Sequence, residues 1–266
     1  MMHDWGLLSQ AERDARYNNS DAVANSAAFM AALRADSEAR RRDAPDGMDQ
    51  AWGTGERQRT DLFRGDKGAP CLVFIHGGYW QRNGREGFAA LGDGVRAHGW
   101  SVAMPGYTLA PDASLTTIVA EIATGLDWLR NQVDGPIILS GWSAGGHLTA
   151  MGLGHPAVHA GLAISGVFEL GPIRDTYLNE KLRLTDAEVE GLSPLRLPAE
   201  PKPLAITYGT AELPPLVSDS RALHFHRSAA HAPGPLIPAP GCNHFTVVDS
   251  LRERDGMLTR AVLALI

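Results

Sequence analysis

The stretch that decides the fold is Ile137-Ile-Leu-Ser-Gly-Trp-Ser-Ala-Gly-Gly146. An apolar run with the length of a buried strand, 137–140, leads into Gly-x-Ser-x-Gly, and a helical pattern follows over 146–154. This order of strand, tight turn and helix is the context of a nucleophile elbow, which exposes a serine hydroxyl. The first N–H of the helix, that of Ala144, has no partner inside the helix and can bind an oxyanion. We therefore predict that Ser143 is a nucleophile.

Apolar runs of the same kind recur on both sides of this stretch. Further strands are predicted at 58–63, 71–75, 101–104, 162–165 and 204–207. Further helices are predicted at 87–98, 115–132, 218–230 and 247–266. Strands that alternate with helices indicate parallel βαβ units. The sequence therefore predicts an α/β fold with a mostly parallel central sheet that is flanked by helices.

The 266 residues fit one large domain with two additions. Residues 1–55 are predicted to form an N-terminal helical extension. It contains a capping-box pattern, Ser9-Gln-Ala-Glu12, a helix over 22–40 and a loop rich in Gly and Pro after it. Residues 168–200 interrupt the alternation of strands and helices, and we expect them to form a small lid-like insertion.

Composition and charge exclude several classes of function. The net charge of −6 comes without a basic face, which argues against binding nucleic acid. The segment 135–168 carries no Asp, Glu, Lys or Arg, but its glycines, histidines and Pro156 mark a buried domain centre and not a membrane span. We expect a small-molecule substrate and no membrane partner, and a homodimer is left open.

The cysteines and the N-terminus bear on the cellular compartment. Cys71 and Cys242 form neither a disulfide framework nor a metal-binding spacing, and no cluster of His, Asp or Glu suggests a metal site. The N-terminus lacks a basic segment followed by an apolar one, so no secretory signal is expected. After the strand at 71–75 the glycines do not form a dinucleotide-binding fingerprint. We expect a cytoplasmic protein without a cofactor or metal.

A second motif follows the strand at 71–75. It reads His76-Gly-Gly-Tyr-Trp80 and matches the HGG loops that supply oxyanion-binding N–H groups. Glycine allows the backbone to approach a reacting carbonyl closely. The candidate donors are the N–H groups of Gly78 and Tyr79 beside that of Ala144, whereas His76 is expected to orient the loop.

The order of motifs along the chain selects the histidine that serves as base. With an elbow of this kind, the acid and then the histidine follow the nucleophile. Two histidines remain as candidates after those that precede Ser143, follow it too closely or fall within a predicted helix are set aside. His244, in Gly241-Cys-Asn-His-Phe245 before the last helix, is favoured over His231, which lies at a helix end.

The acid is expected directly after the strand at 204–207. Glu212, in Tyr208-Gly-Thr-Ala-Glu212, is favoured because it is placed to accept the histidine N–H and to hold its tautomer. Asp219 is the alternative, although its position suggests a residue at a helix start. Asp249 lies beyond the histidine and is expected to cap the last helix.

Four segments together resemble the kynurenine formamidase (arylformamidase) branch of the α/β-hydrolases. They are His76-Gly-Gly-Tyr-Trp-Gln81, Pro105-Gly-Tyr-Thr-Leu-Ala-Pro111, Gly141-Trp-Ser-Ala-Gly-Gly-His147 and Asn243-His-Phe245. The resemblance covers most of the chain, and its more specific part is the Tyr-Trp pair after the HGG loop.

The resemblance implies an α/β-hydrolase fold and a set of residue roles. Ser143, Glu212 and His244 would form the triad, and the HGG loop with Ala144 would form the oxyanion hole. The implied reaction is removal of a small acyl group such as formyl from an arylamine, and the alternative is hydrolysis of short-chain esters. Family members usually have His where this chain has Trp142, and many have Asp in place of Glu212.

The implied reaction also suggests which residues bind the aryl group. Aromatic rings stack on aryl substrates in offset or edge-to-face geometry. The candidates to contact the substrate are Tyr79, Trp80, Trp142 and Phe245. For Trp80 we expect a packing role beneath the catalytic loops.

Overall fold

A computed structural model describes residues 5–266 of the chain. The first four residues, which contribute to the expectation that there is no secretory signal, lie outside the described part. The chain enters through three helices, α1 (Gln10–Ala15), α2 (Asn19–Ala22) and α3 (Ser26–Arg42). Helix α1 begins with the predicted capping box, in which Ser9 and Glu12 exchange hydrogen bonds with each other's backbone N–H.

The centre of the molecule is an eight-stranded sheet. Its strands are β1 (Gln50–Ala51), β2 (Arg59–Phe63), β3 (Cys71–Ile75), β4 (Ser101–Pro105), β5 (Ile137–Trp142), β6 (Val158–Ile164), β7 (Leu204–Gly209) and β8 (Leu236–Ala239). Their order across the sheet is β1-β2-β4-β3-β5-β6-β7-β8. Strands β3 to β8 are parallel to one another, whereas at one edge β2 pairs antiparallel with both β4 and β1. The predicted mostly parallel sheet is confirmed.

The sheet is covered by helices on both faces. Eight helices follow α3 along the chain: α4 (Asp93–Arg96), α5 (Leu115–Leu129), α6 (Ala144–Gly152), α7 (Gly171–Arg174), α8 (Asn179–Leu182), α9 (Asp186–Leu192), α10 (Pro214–Ala229) and α11 (Met257–Leu263). Helices α5, α6 and α10 contribute to the core on one face, and α3, α4 and α11 to the core on the other. This three-layer arrangement is the expected α/β-hydrolase fold.

Alternation along the strands explains why there are two apolar cores. In β3, Cys71, Val73 and Ile75 belong to one core and Leu72 and Phe74 to the other, as the two-residue period of a strand requires. All five side chains are buried. A strand with both faces buried reads as a continuous apolar run, and for this reason the strand positions could be predicted closely.

Two predicted helices are wrong in extent. The helix expected at 87–98 is a series of short 3-10 turns that ends in the four-residue α4, and the helix expected at 247–266 is divided into a 3-10 segment at 246–251 and α11. Glycine disfavours a continuous helix in both places, because Gly92 is the N-cap of α4 and Gly256 is the N-cap of α11. Asp249 lies inside the 3-10 segment and does not cap the last helix.

The helix expected over 22–40 begins later than predicted, at Ser26, because Val23 is extended. The segment 168–200 contains α7, α8 and α9, and its role as a lid stays a prediction. Among residues 5–266, no helix combines the length and apolar character needed to cross a bilayer. The same residues contain no cluster of three or more His, Cys, Asp or Glu side chains that could hold a metal ion.

Candidate active site

The two motifs meet where the strand order reverses. After β3 the chain moves to β4 on one side and then returns to β5 on the other, so the loops after β3 and β5 lie next to each other. Ile75 pairs with Gly141 at the ends of these strands. In open α/β sheets, ligands bind at such a switch point beyond the carboxyl ends of the strands. The topology therefore brings the HGG loop beside Ser143.

Close backbone contact at this point requires glycine. A Cβ on Gly77 would lie 2.7 Å from the carbonyl oxygen of Trp142 and 3.0 Å from the Cβ of Ser143. A Cβ on Gly145 would lie 2.0 Å from the carbonyl oxygen of Ile75. The glycines of both motifs thus allow the HGG loop, the elbow and the end of β3 to pack backbone against backbone.

Ser143 has the strained backbone of a nucleophile elbow. Its φ of 59° and ψ of −117° lie outside the helical and extended regions, and α6 begins at the next residue. Its N–H donates to the carbonyl of Ile164 in β6 at 2.8 Å, which holds the turn against the sheet. Conformations of this kind cost on the order of 1–3 kcal/mol and are concentrated at functional sites.

Three backbone N–H groups next to Ser143 are available to a ligand. Among the described residues, no hydrogen bond engages the N–H of Gly78, Tyr79 or Ala144. Gly78 and Tyr79 have positive φ values of 123° and 51°, which turn the loop back toward the elbow. The N–H of Ala144 also lies at the positive end of the α6 dipole. These are the three groups that the sequence suggested as oxyanion donors.

His244 and Glu212 are brought into direct contact from neighbouring strands. Glu212 follows β7, and His244 follows β8. The Nδ1 of His244 lies 2.8 Å from Oε2 of Glu212, and both side chains are buried. A hydrogen bond from Nδ1–H to this carboxylate would leave Nε2 of His244 as the acceptor. His231, the alternative histidine, is exposed beyond the end of α10.

The carboxylate of Glu212 is fixed by two further donors. Its Oε1 accepts hydrogen bonds from the Ser165 hydroxyl and from the Gly209 N–H, each at 2.5 Å. Ser165 follows β6 and has a positive φ of 48°. Sequence reasoning missed Ser165, because nothing local distinguishes it from other serines after strands. Its role depends on the register between β6 and β7, which the sequence pattern does not specify.

Asp219, the alternative acid, lies elsewhere. It is inside α10 and not at a helix start as predicted, because the helix begins at Pro214. Its Oδ2 accepts the N–H groups of Phe168 at 2.7 Å and Glu169 at 3.2 Å. Burial raises the pKa of Asp219 to about 7, although these two N–H groups act in the opposite direction. No hydrogen bond or ion pair joins Asp219 to His244.

The loop that carries His244 is ordered by its neighbours. The Oδ1 of Asn243 accepts the N–H groups of Phe245 and Thr246 at 2.9 and 3.0 Å, which closes a local turn around His244. The N–H of Ala211 donates to the carbonyl of Cys242 at 2.9 Å and ties this loop to the segment before Glu212. The Asn-His-Phe sequence therefore has a structural basis in the turn that Asn243 forms.

Ser143 and His244 line one solvent-open cavity of about 230 Å³. Tyr79, Trp142 and Phe245, three of the four aromatic residues proposed to contact substrate, also line it. Trp80 does not line the cavity and is fully buried. Its ring packs perpendicular to that of His147, with ring centroids 5.0 Å apart. Trp80 is therefore packed in the core, and of the four aromatic candidates it alone does not line this cavity.

The N-terminal extension forms another wall of the cavity. Its lining residues are Asn19, Ser20, Ser26, Ala27 and Met30. The hydroxyl of Tyr79 donates to the carbonyl of Tyr17 at 2.7 Å and accepts from Nδ2 of Asn19 at 2.9 Å. No residue of 168–200 lines the cavity. The sequence predicts helices in this extension but not the part of the sheet on which they pack, so their contribution to the cavity could not be predicted.

His76 is buried beneath the HGG loop. Its ring stacks on Tyr107, with centroids 4.4 Å apart, and its Nδ1 lies 2.9 Å from the carbonyl oxygen of Gly77. Burial lowers the pKa of His76 to about 4, so the ring is neutral near pH 7. These contacts fit the expectation that His76 orients the loop.

Comparisons with known proteins agree with this architecture. A family model described as BD-FAE matches residues 63–158. Kynurenine formamidase of Danio rerio is 24% identical in an alignment of 295 positions, which covers 100% of this chain and 99% of that protein. Kynurenine formamidase of Salmo salar is also 24% identical, over 88% of this chain and 86% of its own length.

Solved structures and a shorter sequence match extend the comparison. The structure of a candidate thioesterase from Silicibacter sp. TM1040 has a TM-score of 0.85 and 28% identity, and covers 95% of this chain and 99% of that one. Esterase B of Lactobacillus rhamnosis shares the fold, with a TM-score of 0.67 and 20% identity over 91% of this chain and 96% of its own. Esterase LipC of Mycobacterium tuberculosis is 34% identical over 93 residues, 32% of this chain and 23% of that protein.

The fold and these relatives define the chain as an α/β-hydrolase and a hydrolytic enzyme. Within that class the chain is similar to the kynurenine formamidases, since the similarity to the formamidase of Danio rerio extends over the whole chain at 24% identity.

Proposed function

We propose that the chain hydrolyses small acyl arylamides, with N-formylkynurenine as the representative substrate, through an acyl-serine intermediate. One observation carries the proposal. A kynurenine formamidase aligns with the chain from end to end, and the aligned length includes both the elbow and the loop of His244. The proposed substrate is a small molecule, and the proposed location is the cytoplasm, where free thiols such as Cys71 and Cys242 are common.

Ser143, His244 and Glu212 are the proposed triad. His244 takes the proton from the Ser143 hydroxyl at Nε2 while the serine oxygen attacks the formyl carbon. The imidazolium that forms is stabilised by Glu212, whose Oε2 lies 2.8 Å from Nδ1. The contacts of Glu212 with Ser165 and Gly209 support this role, because they hold the carboxylate in place before the reaction.

The oxyanion is proposed to bind the N–H groups of Gly78, Tyr79 and Ala144. These donors have no partner within the described residues and lie on the two loops that meet at Ser143. Donors that are fixed before the reaction stabilise the developing negative charge without reorganising. In the mechanism, the tetrahedral intermediate collapses when His244 gives its proton to the arylamine nitrogen, and the amine leaves.

Water then completes the reaction. His244 removes a proton from a water molecule, and the hydroxide adds to the formyl-serine carbon. When this intermediate collapses, His244 returns the proton to the Ser143 oxygen and formic acid leaves, which ionises to formate in solvent. The aromatic walls suit an aryl leaving group: the rings of Trp142 and Phe245 are 5.7 Å apart with an interplanar angle of 62°, and Tyr79 is held by Tyr17 and Asn19.

Hydrolysis of short-chain esters is the alternative function. The 34% identity to Esterase LipC favours it over part of the chain, and the same triad and oxyanion groups would serve. An ester is intrinsically easier to cleave than an amide, so weak ester hydrolysis alone does not decide between the two. The ratio of specificity constants for matched amides and esters decides.

A substrate panel with two protein variants tests the proposal. N-formylkynurenine, formanilide, an N-formyl alkylamine and phenyl acetate are compared by kcat/KM, and a fluorophosphonate probe reports on the nucleophile. We expect the aryl formamides to be the best amide substrates and the probe to label Ser143. In Ser143→Ala, labelling by the probe should disappear and kcat should fall by about 10⁶-fold. Ser140→Ala is the matched control at a buried serine in β5, and it should keep wild-type kcat and the labelling of Ser143. Hydrolysis of esters without any formamide turnover would establish the alternative function.

A further inference from the structure

We propose that Arg82, at the rim of the cavity, binds a carboxylate of the substrate and thereby selects arylamides that carry an acidic group on the leaving-amine side. This inference rests on the proposed function, because it names the substrate class of the same site. Arg82 follows the HGG loop and lines the cavity together with Ser143 and His244.

The charges that line the cavity favour an anionic ligand. Among the residues lining it, Arg82 carries the single permanent charge, and no Asp or Glu is present. Glu212 is buried behind His244 and is already bonded to three donors. The protein as a whole has a net charge of −6, which repels anions at long range. A local cation at the cavity rim counteracts that repulsion where the substrate enters.

Arg82 is not engaged by any acid of the described chain. Its exposed guanidinium has no hydrogen bond or ion pair within residues 5–266. The neighbouring Arg85, in contrast, forms ion pairs with Asp49, Asp61 and Glu86. A guanidinium presents a planar fork of donors that matches a carboxylate in a bidentate pair. The five donors of Arg82 are therefore available to a ligand.

Arg82 lines the cavity, and its charge reaches the tyrosines around it. Burial raises the pKa of Tyr79, and the positive charge of Arg82 acts against that increase. Arg82 has the same effect on Tyr177, whose pKa is also raised mainly by burial. The charge thus acts on the phenol of Tyr79, whose side chain lines the cavity beside the oxyanion loop.

The backbone of Arg82 is fixed to the proposed oxyanion loop. A Cβ on Gly78 would lie 2.4 Å from the carbonyl oxygen of Arg82, so the two backbones are in direct contact. The N–H of Gln81 donates to the carbonyl of Gly78 at 3.0 Å, and Nδ2 of Asn83 donates to the carbonyl of Gly77 at 3.1 Å. Arg57 also donates to the carbonyl of Asn83. These bonds hold the origin of the Arg82 side chain at a constant place relative to Gly78.

A carboxylate bound by Arg82 would lie on the leaving-amine side, away from the small space between Gly77 and Ser143. Binding energy from this remote group can orient the formyl carbonyl toward Ser143. An exposed ion pair is screened by salt, so its effect on substrate binding weakens as the ionic strength rises. N-formylkynurenine carries a carboxylate on its amino-acid side chain and satisfies this requirement, whereas formanilide does not.

The test compares N-formylkynurenine with its carboxamide, in which the carboxylate alone is neutralised. In Arg82→Gln we expect KM for the carboxylate substrate to rise about tenfold, as for the loss of one charged hydrogen-bonded contact, with kcat within about twofold. The carboxamide should change less than about twofold in both constants, and Arg82→Lys should recover part of the loss. Arg130→Gln, the same change at an exposed arginine outside the cavity, should leave both substrates unaffected.

A binding measurement separates this inference from the proposed function. Kynurenine and its carboxamide are titrated calorimetrically into Ser143→Ala and into Ser143→Ala combined with Arg82→Gln. Tighter binding of the carboxylate that disappears with Arg82 supports the inference. If formamides are not hydrolysed, the proposed function fails, and aryl acetates with and without a carboxylate side chain replace them as substrates. A preference for the acidic acetate that depends on Arg82 then still supports the inference. Equal effects of Arg82→Gln on acidic and neutral compounds overturn the inference.

Discussion

The indole Nε1 of Trp142 donates a hydrogen bond of 2.8 Å to the backbone carbonyl of His244, across 102 residues of sequence. The two rings also lie against each other, with centroids 5.0 Å apart and an interplanar angle of 37°. The residue before the nucleophile thus contacts both the backbone and the side chain of the histidine. Trp142 therefore connects the elbow directly to the loop after β8.

Replacing Trp142 with Phe should weaken catalysis more than folding. The variant keeps an aromatic ring but leaves the carbonyl of His244 without its donor, a change that typically costs about 1–3 kcal/mol when the group is buried. Because the loop of His244 is then less constrained, we expect kcat for an aryl formamide to fall roughly tenfold with little change in KM. Trp128→Phe on α5, whose indole makes no hydrogen bond among the described residues, is the control. Unchanged kcat in Trp142→Phe would show that the bond does not position His244.

The acid assignment is tested by Glu212→Gln. The Gln oxygen can still accept from Ser165 and Gly209, so the amide nitrogen would face His244 and favour the wrong tautomer. We expect kcat to fall roughly 10³–10⁴-fold with a melting temperature close to that of the wild type. Asp219→Asn is the comparison, and it should leave kcat within a fewfold at pH 7.5. The reverse pattern would assign the acid to Asp219.

Much of the fold could be predicted because buried parallel strands have a strong sequence signal. The strand at 71–75 was placed to the residue, and those at 101–104, 137–140 and 204–207 to within two residues at either end. The apolar runs of these strands and the turns that follow them are determined by the residues of each segment itself. Helices were less predictable where glycine divides them, as in the segment 246–263, because a dispersed apolar pattern does not show where the chain turns.

The proposed site was predictable only where a residue is part of a motif. Ser143, Gly78, Tyr79 and Ala144 stand in patterns that specify their backbone geometry, and the contact between His244 and Glu212 follows from the strand order. Ser165, Asn19 and Arg82 could not be found in this way. Their relation to the site depends on tertiary packing: the neighbour of β7 in the sheet, the docking of the N-terminal helices and the path of the chain after the HGG loop.

The buried Asp219 should make stability depend on pH. Burial raises its pKa to about 7 in the folded protein, whereas an unfolded chain has an Asp pKa of about 3.9. Between these values the folded state holds a proton that the unfolded state has released, so the contribution of Asp219 to stability is present below about pH 4 and is lost as the pH rises to about 7. The free energy of unfolding of the wild type relative to Asp219→Asn should therefore fall by on the order of 1 kcal/mol per pH unit in this window.

Urea unfolding of the two proteins at several pH values between 4.5 and 8 measures this difference directly. The comparison between variants removes the contribution of other groups, such as the buried His76 and His147, whose pKa values burial lowers to about 4. Asp134→Asn, the same substitution at an exposed position, is the matched control. A difference that stays constant over the pH range, or that grows in favour of the wild type as the pH rises, would contradict the proposed protonation of Asp219.

The size of the acyl group should matter more than the substitution of the ring. The HGG loop packs backbone against backbone on the elbow, since a Cβ on Gly77 would lie 3.0 Å from the Cβ of Ser143, and we therefore expect little space beside the attacked carbon. The aryl side faces an open cavity. We expect kcat/KM to decrease from formanilide to acetanilide to butyranilide, by roughly 10–200-fold for each step that fits poorly.

Matched phenyl formate, phenyl acetate and phenyl butyrate extend the series to esters. Because ester carbonyls are more reactive, the ester series separates the fit of the acyl group from the chemistry of the leaving group. A formyl preference in both series supports a site shaped for a small acyl group, whereas efficient turnover of butyryl esters without formanilide hydrolysis would assign the chain to the short-chain esterases.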